Sequence, residues 1–279
     1  GVQTCALPIY GSGVDAITAT ISAGATLKIV IAGLLSDVSL ESARNLAEST
    51  YARVVESISL NDSRKEEEQI DAILRANPDL IIIAGGTDDG ASQSLKKIIE
   101  IIGLTAYLMP KDKRPVILFV GNQKMEADVR ETLEMLSSGF HTTPNIRPSV
   151  ATEDLRAARK ELARAFIEIR KKQMPSVEEL DMWAGGRALP SVFAEGRIVQ
   201  LLSKLYGSEK PLLSVNLGAS STAVSVGFGG RLQTKVYPHL GMGAGIAELL
   251  SHTSTENITR WLTIDVSPQR ISGDRKSVV

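Results

Sequence analysis

Between residues 27 and 139 short apolar runs alternate with stretches whose apolar residues recur every three or four positions. The runs "LKIVIAGL" (27–34), "ARVVESISL" (52–60), "DLIIIAGG" (79–86) and "RPVILFVGN" (114–122) read as strands, the third apolar throughout and so of the fully buried type. Between them, "SLESARNLAEST" (39–50) reads as a helix with Ser39 at its N-cap, and "RKEEEQIDAILRAN" (64–77) as one ended by Pro78. "SQSLKKIIEIIG" (92–103) is predicted as a helix closed by Gly103, and "KMEADVRETLEMLSSG" (124–139) follows the fourth strand. Strand then helix, four times over, predicts an α/β fold with a doubly wound, mainly parallel sheet.

"TTPNIRPSV" (142–150) breaks the rhythm with Pro144 and Pro148, which places a boundary near residue 150. Beyond it Leu155, Ala158, Leu162, Ala165, Phe166 and Ile169 keep helical spacing behind an N-cap at Thr152. The basic run at residues 170–172 then reads as a solvated last turn favoured by the helix dipole, ahead of Pro175. A second helix, "SVFAEGRIVQLLSKLYG" (191–207), completes a helical connector over 151–210. In "PLLSVNLGASSTAVSVGFGGRLQTKVY" (211–237) one strand ends near Leu217 and a second carries Val224, Val226 and Phe228 in alternation. Gly229 and Gly230 form a two-residue hairpin turn into a third strand, Leu232 to Tyr237.

Composition narrows the function classes. The chain is 43% hydrophobic and 23% charged with a formal net charge of −1, so no strong field draws nucleic acid or an acidic membrane. The apolar runs fall short of the roughly 18 residues that a membrane span requires. Cys5 stands alone, which excludes an intrachain disulfide or a thiolate metal cluster and suits a cytoplasmic setting. "GVQTCALPIY" (1–10) and "GDRKSVV" (273–279) have the look of translated adapter sequence, so the natural part is expected within 11–272. The expected organisation is an α/β domain over 11–150, the connector, and a smaller unit over 211–272.

Chemistry concentrates in two glycine-rich turns. In "VNLGASSTAV" a turn of Gly and small hydroxyl residues exposes backbone N–H groups and lets a phosphate approach, with Ser220, Ser221 and Thr222 as hydroxyl donors. An ordinary hairpin explains the same spacing. "IIIAGGTDDGASQS" (81–94) sets a second turn at the carboxyl end of a buried strand, where open α/β sheets bind ligands. There Gly85, Gly86 and Gly90 would allow close approach, Thr87 and Ser92 could donate, and Asp88 and Asp89 could hold a metal or a ribose. The bland reading is a strand-to-helix turn whose Asp or Ser caps the helix. It matches neither a Walker loop nor the dinucleotide fingerprint.

His141, His239 and His252 lack zinc spacing and read as surface or loop residues. Trp183 and Trp261 read as core or interface fillers, and "GMGAGIAELL" (241–250) as a glycine-rich entry to a helix.

The order and wording of "VNLGASSTAVSV" resemble the second phosphate loop of the actin-like, sugar-kinase and Hsp70-type ATPase fold. "AGATLKIVIAGL", "PDLIIIAGGTDDGASQSLKKIIEI", "VILFVGNQKMEADVRETLE" and "RALPSVFAEGRIVQLLSKLY" add a likeness, over most of residues 22–262, to the glutamate mutase L family. That resemblance implies an accessory protein of adenosylcobalamin-dependent mutases with a chaperone-like ATPase chemistry. Gly218, Ala219, Ser220, Ser221 and Thr222 would be the phosphate loop, and Asn216 would stand where the family has a metal-associated Asp. Asn keeps a carbonyl oxygen but not the charge, so weakened magnesium binding is expected. ATP and Mg²⁺ are thus implied for the full-length parent, while this piece is expected to be inactive alone, the first phosphate loop and an adenosine segment being implied outside residues 22–265. The cobalt-ligating D-x-H-x-x-G context is missing around all three histidines, so no direct cobalamin ligand is expected. The alternative of another class is a noncatalytic scaffold or small-ligand-sensing α/β module.

Overall fold

The computed structural model describes residues 16–88, 93–206, 210–243 and 253–260. Both terminal stretches, Asp89, Gly90, Ser92, His252 and Trp261 lie outside the described residues, as does the helix expected from 244 onward. The elements run β1 (Thr20–Ile21), β2 (Leu27–Gly33), α1 (Glu41–Ala47), β3 (Ala52–Ser59), α2 (Glu66–Ala76), β4 (Leu80–Ile83) and α3 (Gln93–Leu108). Next come β5 (Val116–Phe119), α4 (Glu126–Leu133), β6 (Gly139–Thr142), α5 (Arg156–Gln173), α6 (Pro175–Trp183), β7 (Leu189–Pro190) and α7 (Ser191–Leu205). Three strands follow, β8 (Leu212–Leu217), β9 (Thr222–Phe228) and β10 (Arg231–Tyr237), and a single helical turn lies at Thr255–Thr259.

Five strands form a parallel sheet in the order β3-β2-β4-β5-β6. Side-chain alternation divides its core cleanly. Ile29, Ile31, Leu80, Ile82, Val116 and Leu118 point to the layer of α1 and α5; Val30, Ala32, Ile81, Ile83, Ile117 and Phe119 point to that of α2, α3 and α4. All twelve are essentially excluded from water, each side chain larger than Ala contributing about 1.5–3 kcal/mol of transfer free energy. The strands can be continuously apolar because helices cover both faces. The α/β reading of the sequence therefore stands.

The second sheet is antiparallel, in the order β10-β9-β8, with the Gly229–Gly230 turn at positive φ on both residues. Helix α7 lies on its inner face. Ala223 and Val236 join the same core cluster as Phe166 of α5, Tyr51 and Val192. Three polar ties fix the junction: Val236 N donates to Glu48 O (2.7 Å), Lys235 Nζ meets Glu48 Oε2 (2.8 Å), and Arg159 Nη1 donates to Leu232 O (2.8 Å).

Local expectations fail at several points, each for a physical reason. Ser39 caps nothing: it sits inside a π-type turn (Ser36–Leu40) leading into α1, its hydroxyl donating to Leu35 O and accepting from Leu35 N. Gly103 does not close α3, which continues to Leu108; its bare Cα faces Leu133 of α4, so it serves helix packing. Thr152 is not the N-cap of α5 but bridges Ser149, while Asp154 accepts from Arg156 N at the helix entry. Arg170 is buried, not solvated. It falls on the inward face with Phe166 and Ile169, stacks 4.9 Å from the Phe166 ring centroid, and donates to Ala25 O and Gln173 Oε1. Of the core and interface roles expected for Trp183, its exposure excludes the core. Strand β6 and the two-residue pair β1 and β7 escape the pattern because they are too short to show a period.

His141, expected on the surface or in a loop, lies on the edge strand β6 against α5. Its Nε2 is 2.9 Å from Glu168 Oε2 and its Nδ1 3.5 Å from Glu161 Oε2, and Lys172 holds the other Glu168 oxygen at 2.8 Å. The hydrogen bond to Glu168 raises the imidazole pKa above 6.5, against desolvation, and the same bond holds Glu168 down at about 2 from 4.5. A raised histidine stabilises fully below its unfolded value and loses that contribution as pH climbs through the folded one. A depressed carboxylate contributes above its unfolded value and loses it as pH falls toward the folded one. The clamp is therefore complete between roughly pH 4.5 and 6.5, the two unperturbed values. His141→Ala is expected to lower stability by about 1 kcal/mol at pH 6 and to flatten the fall in urea midpoint between pH 6 and 8. Parallel urea titrations of the two proteins across that range check it.

Candidate functional site

The order β3-β2-β4-β5-β6 makes β2 and β4 a switch point, since the chain leaves them toward opposite faces. The structure brings Gly85, Gly86, Thr87 and Asp88 to the carboxyl edge there. Gly85 and Gly86 have φ of +138° and +72°. A Cβ on Gly121, at the end of β5, would lie 2.7 Å from Gly85 O, so the two loops approach at backbone contact. Asn122 N donates to Gly85 O at 3.1 Å. Buried Asn145 donates to both Gly86 O and Asp88 Oδ1 at 2.9 Å, and its own Oδ1 accepts from Arg147 N. These contacts hold the loop from the β5 and β6 sides and engage Asp88 with the protein.

An open cleft of about 520 Å³ lies on the β3 side of the same edge, lined by Asp37, Glu41, Arg44, Glu56, Asp62 and Arg64 among others. It contains none of the residues singled out by the sequence. Its most fixed charge is spent internally: Arg64 bonds Asp62 (2.6 Å) and Glu56 (3.2 Å), and the Arg64 hydrogen bond holds the Asp62 carboxyl below its usual range.

The turn between β8 and β9 is the more exposed of the two glycine-rich turns. Gly218 N donates to Ser221 O at 2.9 Å, closing the turn above the Leu217–Thr222 pair. The segment after β10 folds back beneath it: Met242 N donates to Gly218 O (2.9 Å) and Gly243 N to Ala219 O (2.7 Å). The carbonyl side is thus tied down. The N–H groups of Ala219, Ser220 and Ser221 find no acceptor among the described residues, and Ala219 and Ser220 are exposed. Successive free amides of this kind make an anion cradle. Thr222 is less available than its hydroxyl suggests, because its proton goes to Leu240 O.

Asn216, two residues before the turn, donates through Nδ2 to Glu195 Oε2 at 2.9 Å, and Ser214 Oγ donates to Glu195 Oε1 at 2.6 Å. Glu195 escapes the sequence reading. Its one signal is that it is the only acidic residue of α7, on a helix that leads into β8. The donors near the turn, the Asn216 amide oxygen, the Glu195 carboxylate and the Ser220 and Ser221 hydroxyls, are all oxygen, the set a hard cation such as Mg²⁺ takes together with water. One carboxylate is enough for that mode of binding. No cluster of three or more His, Cys, Asp or Glu that could hold a metal occurs among the described residues.

Gly241 sets the height of the turn over the segment beneath it: a Cβ there would fall 2.4 Å from Ala219 O. Gly241→Ala is expected to displace the turn at a cost of about 1–3 kcal/mol in stability. Urea titration of the two proteins checks it.

No helix among the described residues is long and apolar enough to cross a membrane. Comparison with known proteins places the chain. The family model described as MutL protein matches residues 3–277. A curated relative, Protein MutL of Clostridium tetanomorphum, is 26% identical over 210 residues, which is 73% of this chain and 42% of the relative. The chain accordingly spans about two fifths of that relative's length. With the family model matched from end to end of both sheets, this protein belongs to the MutL family, the glutamate mutase L proteins.

Proposed function

We propose that this chain is part of a nucleotide-dependent accessory protein of an adenosylcobalamin-dependent mutase, with residues 218–222 as one of two phosphate grips in the full-length parent. The observation that carries the reading is the exposure of that turn together with its free amides: Gly218 O and Ala219 O are tied to residues 242 and 243, while the N–H groups of Ala219, Ser220 and Ser221 are without partners among the described residues. Family membership supports the mutase as partner, and the lone cysteine supports work in the cytoplasm.

In this reading Ala219, Ser220 and Ser221 hold phosphate oxygens through the backbone, and the Ser220 and Ser221 hydroxyls add donors. Magnesium, when bound with ATP, would offset phosphate charge beside Asn216. A ligand gripped from two halves binds only the closed state well and so shifts the protein toward it. Coupling that closure to a bound mutase would drive release or exchange of damaged cobalamin. Asn216 favours a second reading, a noncatalytic scaffold that senses nucleotide, because a neutral amide replaces the family's metal-associated acid.

The full-length parent separates the two. Asn216→Asp, made together with Glu195→Gln so that the new carboxylate keeps a donor where Asn216 now meets Glu195 at 2.9 Å, is expected to raise magnesium-dependent ATP hydrolysis about tenfold or more, and capture of the mutase is expected to differ between the ATP and ADP states. Equal capture in every nucleotide state would overturn the accessory reading. Nucleotide binding with no hydrolysis in either form would leave the scaffold.

A further inference from the structure

We infer that Glu195 acts through Asn216 as a positioning residue for the metal at the phosphate turn, supplying from α7 the negative charge that β8 lacks. The inference rests on the nucleotide reading above, and its evidence is the hydrogen-bond pattern around one carboxylate.

Ser214 and Asn216 are two apart on β8 and therefore share a face, opposite to Leu213, Val215 and Leu217, which stand out in solvent. Glu195 takes one bond from each, one per carboxylate oxygen, at 2.6 and 2.9 Å. A carboxylate only accepts, so the amide of Asn216 must present its NH₂ to Glu195. That settles which end of the amide is which: the oxygen is directed away from Glu195 and is the atom left for a metal-bound water. A hydrogen bond to an anion also draws the amide dipole into line and adds electron density at that oxygen. The pair Asn216–Glu195 thus offers what a single Asp would, an oxygen ligand and a negative charge, divided between two elements. The arrangement parallels the outer partners that orient metal ligands elsewhere, whose loss costs 10–100-fold in affinity.

Division has a consequence that a single Asp lacks. The charge sits on α7, whose first turn also packs against the five-stranded unit: Val192 shares a buried cluster with Tyr51, and the Glu195 charge acts on the Tyr51 phenol. Metal affinity at the turn is thereby made to depend on how α7 lies against β8.

The test uses the full-length parent with Mn²⁺ as the paramagnetic probe of the ADP complex, titrated by electron paramagnetic resonance. Glu195→Gln is expected to weaken Mn²⁺ binding in the ADP complex about tenfold, with ADP affinity in EDTA unchanged. Adding Asn216→Asp to Glu195→Gln is expected to restore Mn²⁺ affinity to at least that of the wild type. A merely structural Glu195 would lower ADP affinity in EDTA as well and would not be rescued. If Glu195→Gln fails to fold, Glu195→Asp, one methylene too short to keep both bonds, replaces it with the same expected direction. Unchanged Mn²⁺ affinity in either variant, or failed rescue, overturns the inference while leaving nucleotide binding in place. A wild type that binds ADP neither with nor without Mn²⁺ overturns both.

Discussion

Both sheets meet at one buried core, to which α5 contributes its apolar face. Ala158, Leu162, Ala165, Phe166 and Ile169 pack with Val116 and Leu118 of the parallel sheet and belong to the same core as Ala223 and Val236 of the antiparallel one. The Tyr51 and Phe166 rings, 6.0 Å apart, mark the middle of it. Helix α7 covers the inner face of the antiparallel sheet, α1 and α5 cover one face of the parallel sheet, and this common core joins the two. The polar ties from Arg159 and Glu48 then fix position on a contact whose strength is hydrophobic.

That layout gives the two glycine-rich turns unlike characters. In the loop after β4, Asn122 and Asn145 hold the carbonyls of Gly85 and Gly86 and the Asp88 carboxylate, while the N–H groups of Gly85, Gly86 and Thr87 find no acceptor among the described residues and Gly85 is buried. The turn after β8 is held from one side only. A turn in which the carbonyls of Gly218 and Ala219 are bonded and the amides of residues 219–221 are without acceptors among the described residues has a directional electrostatic face, and this is the property that an anionic ligand reads.

The sequence makes the parallel sheet legible because burial on both faces forces apolar runs, and "LIII" or "VILF" cannot easily be anything else. It makes the β9–β10 hairpin legible because two glycines in succession suit a tight turn of positive φ. What it hides depends on partners far along the chain. "GFHT" carries no period, so β6 is recognisable only once β5 is beside it. Arg170 looks like its neighbours Lys171 and Lys172 until helical phase puts it beneath residues 24 and 25. Glu195 is the same lesson at the site: its partners lie 19 and 21 residues away, and nothing in "SVFAEG" points to them.

The bond from Val236 N to Glu48 O joins the two units through peptide groups alone. Side-chain replacement at either position leaves donor and acceptor intact, and proline at 236 is the single exchange that deletes the donor. Such a joint transmits position without committing residue identity. At this one point the placement of β10 against the end of α1 is indifferent to which side chains stand at positions 48 and 236.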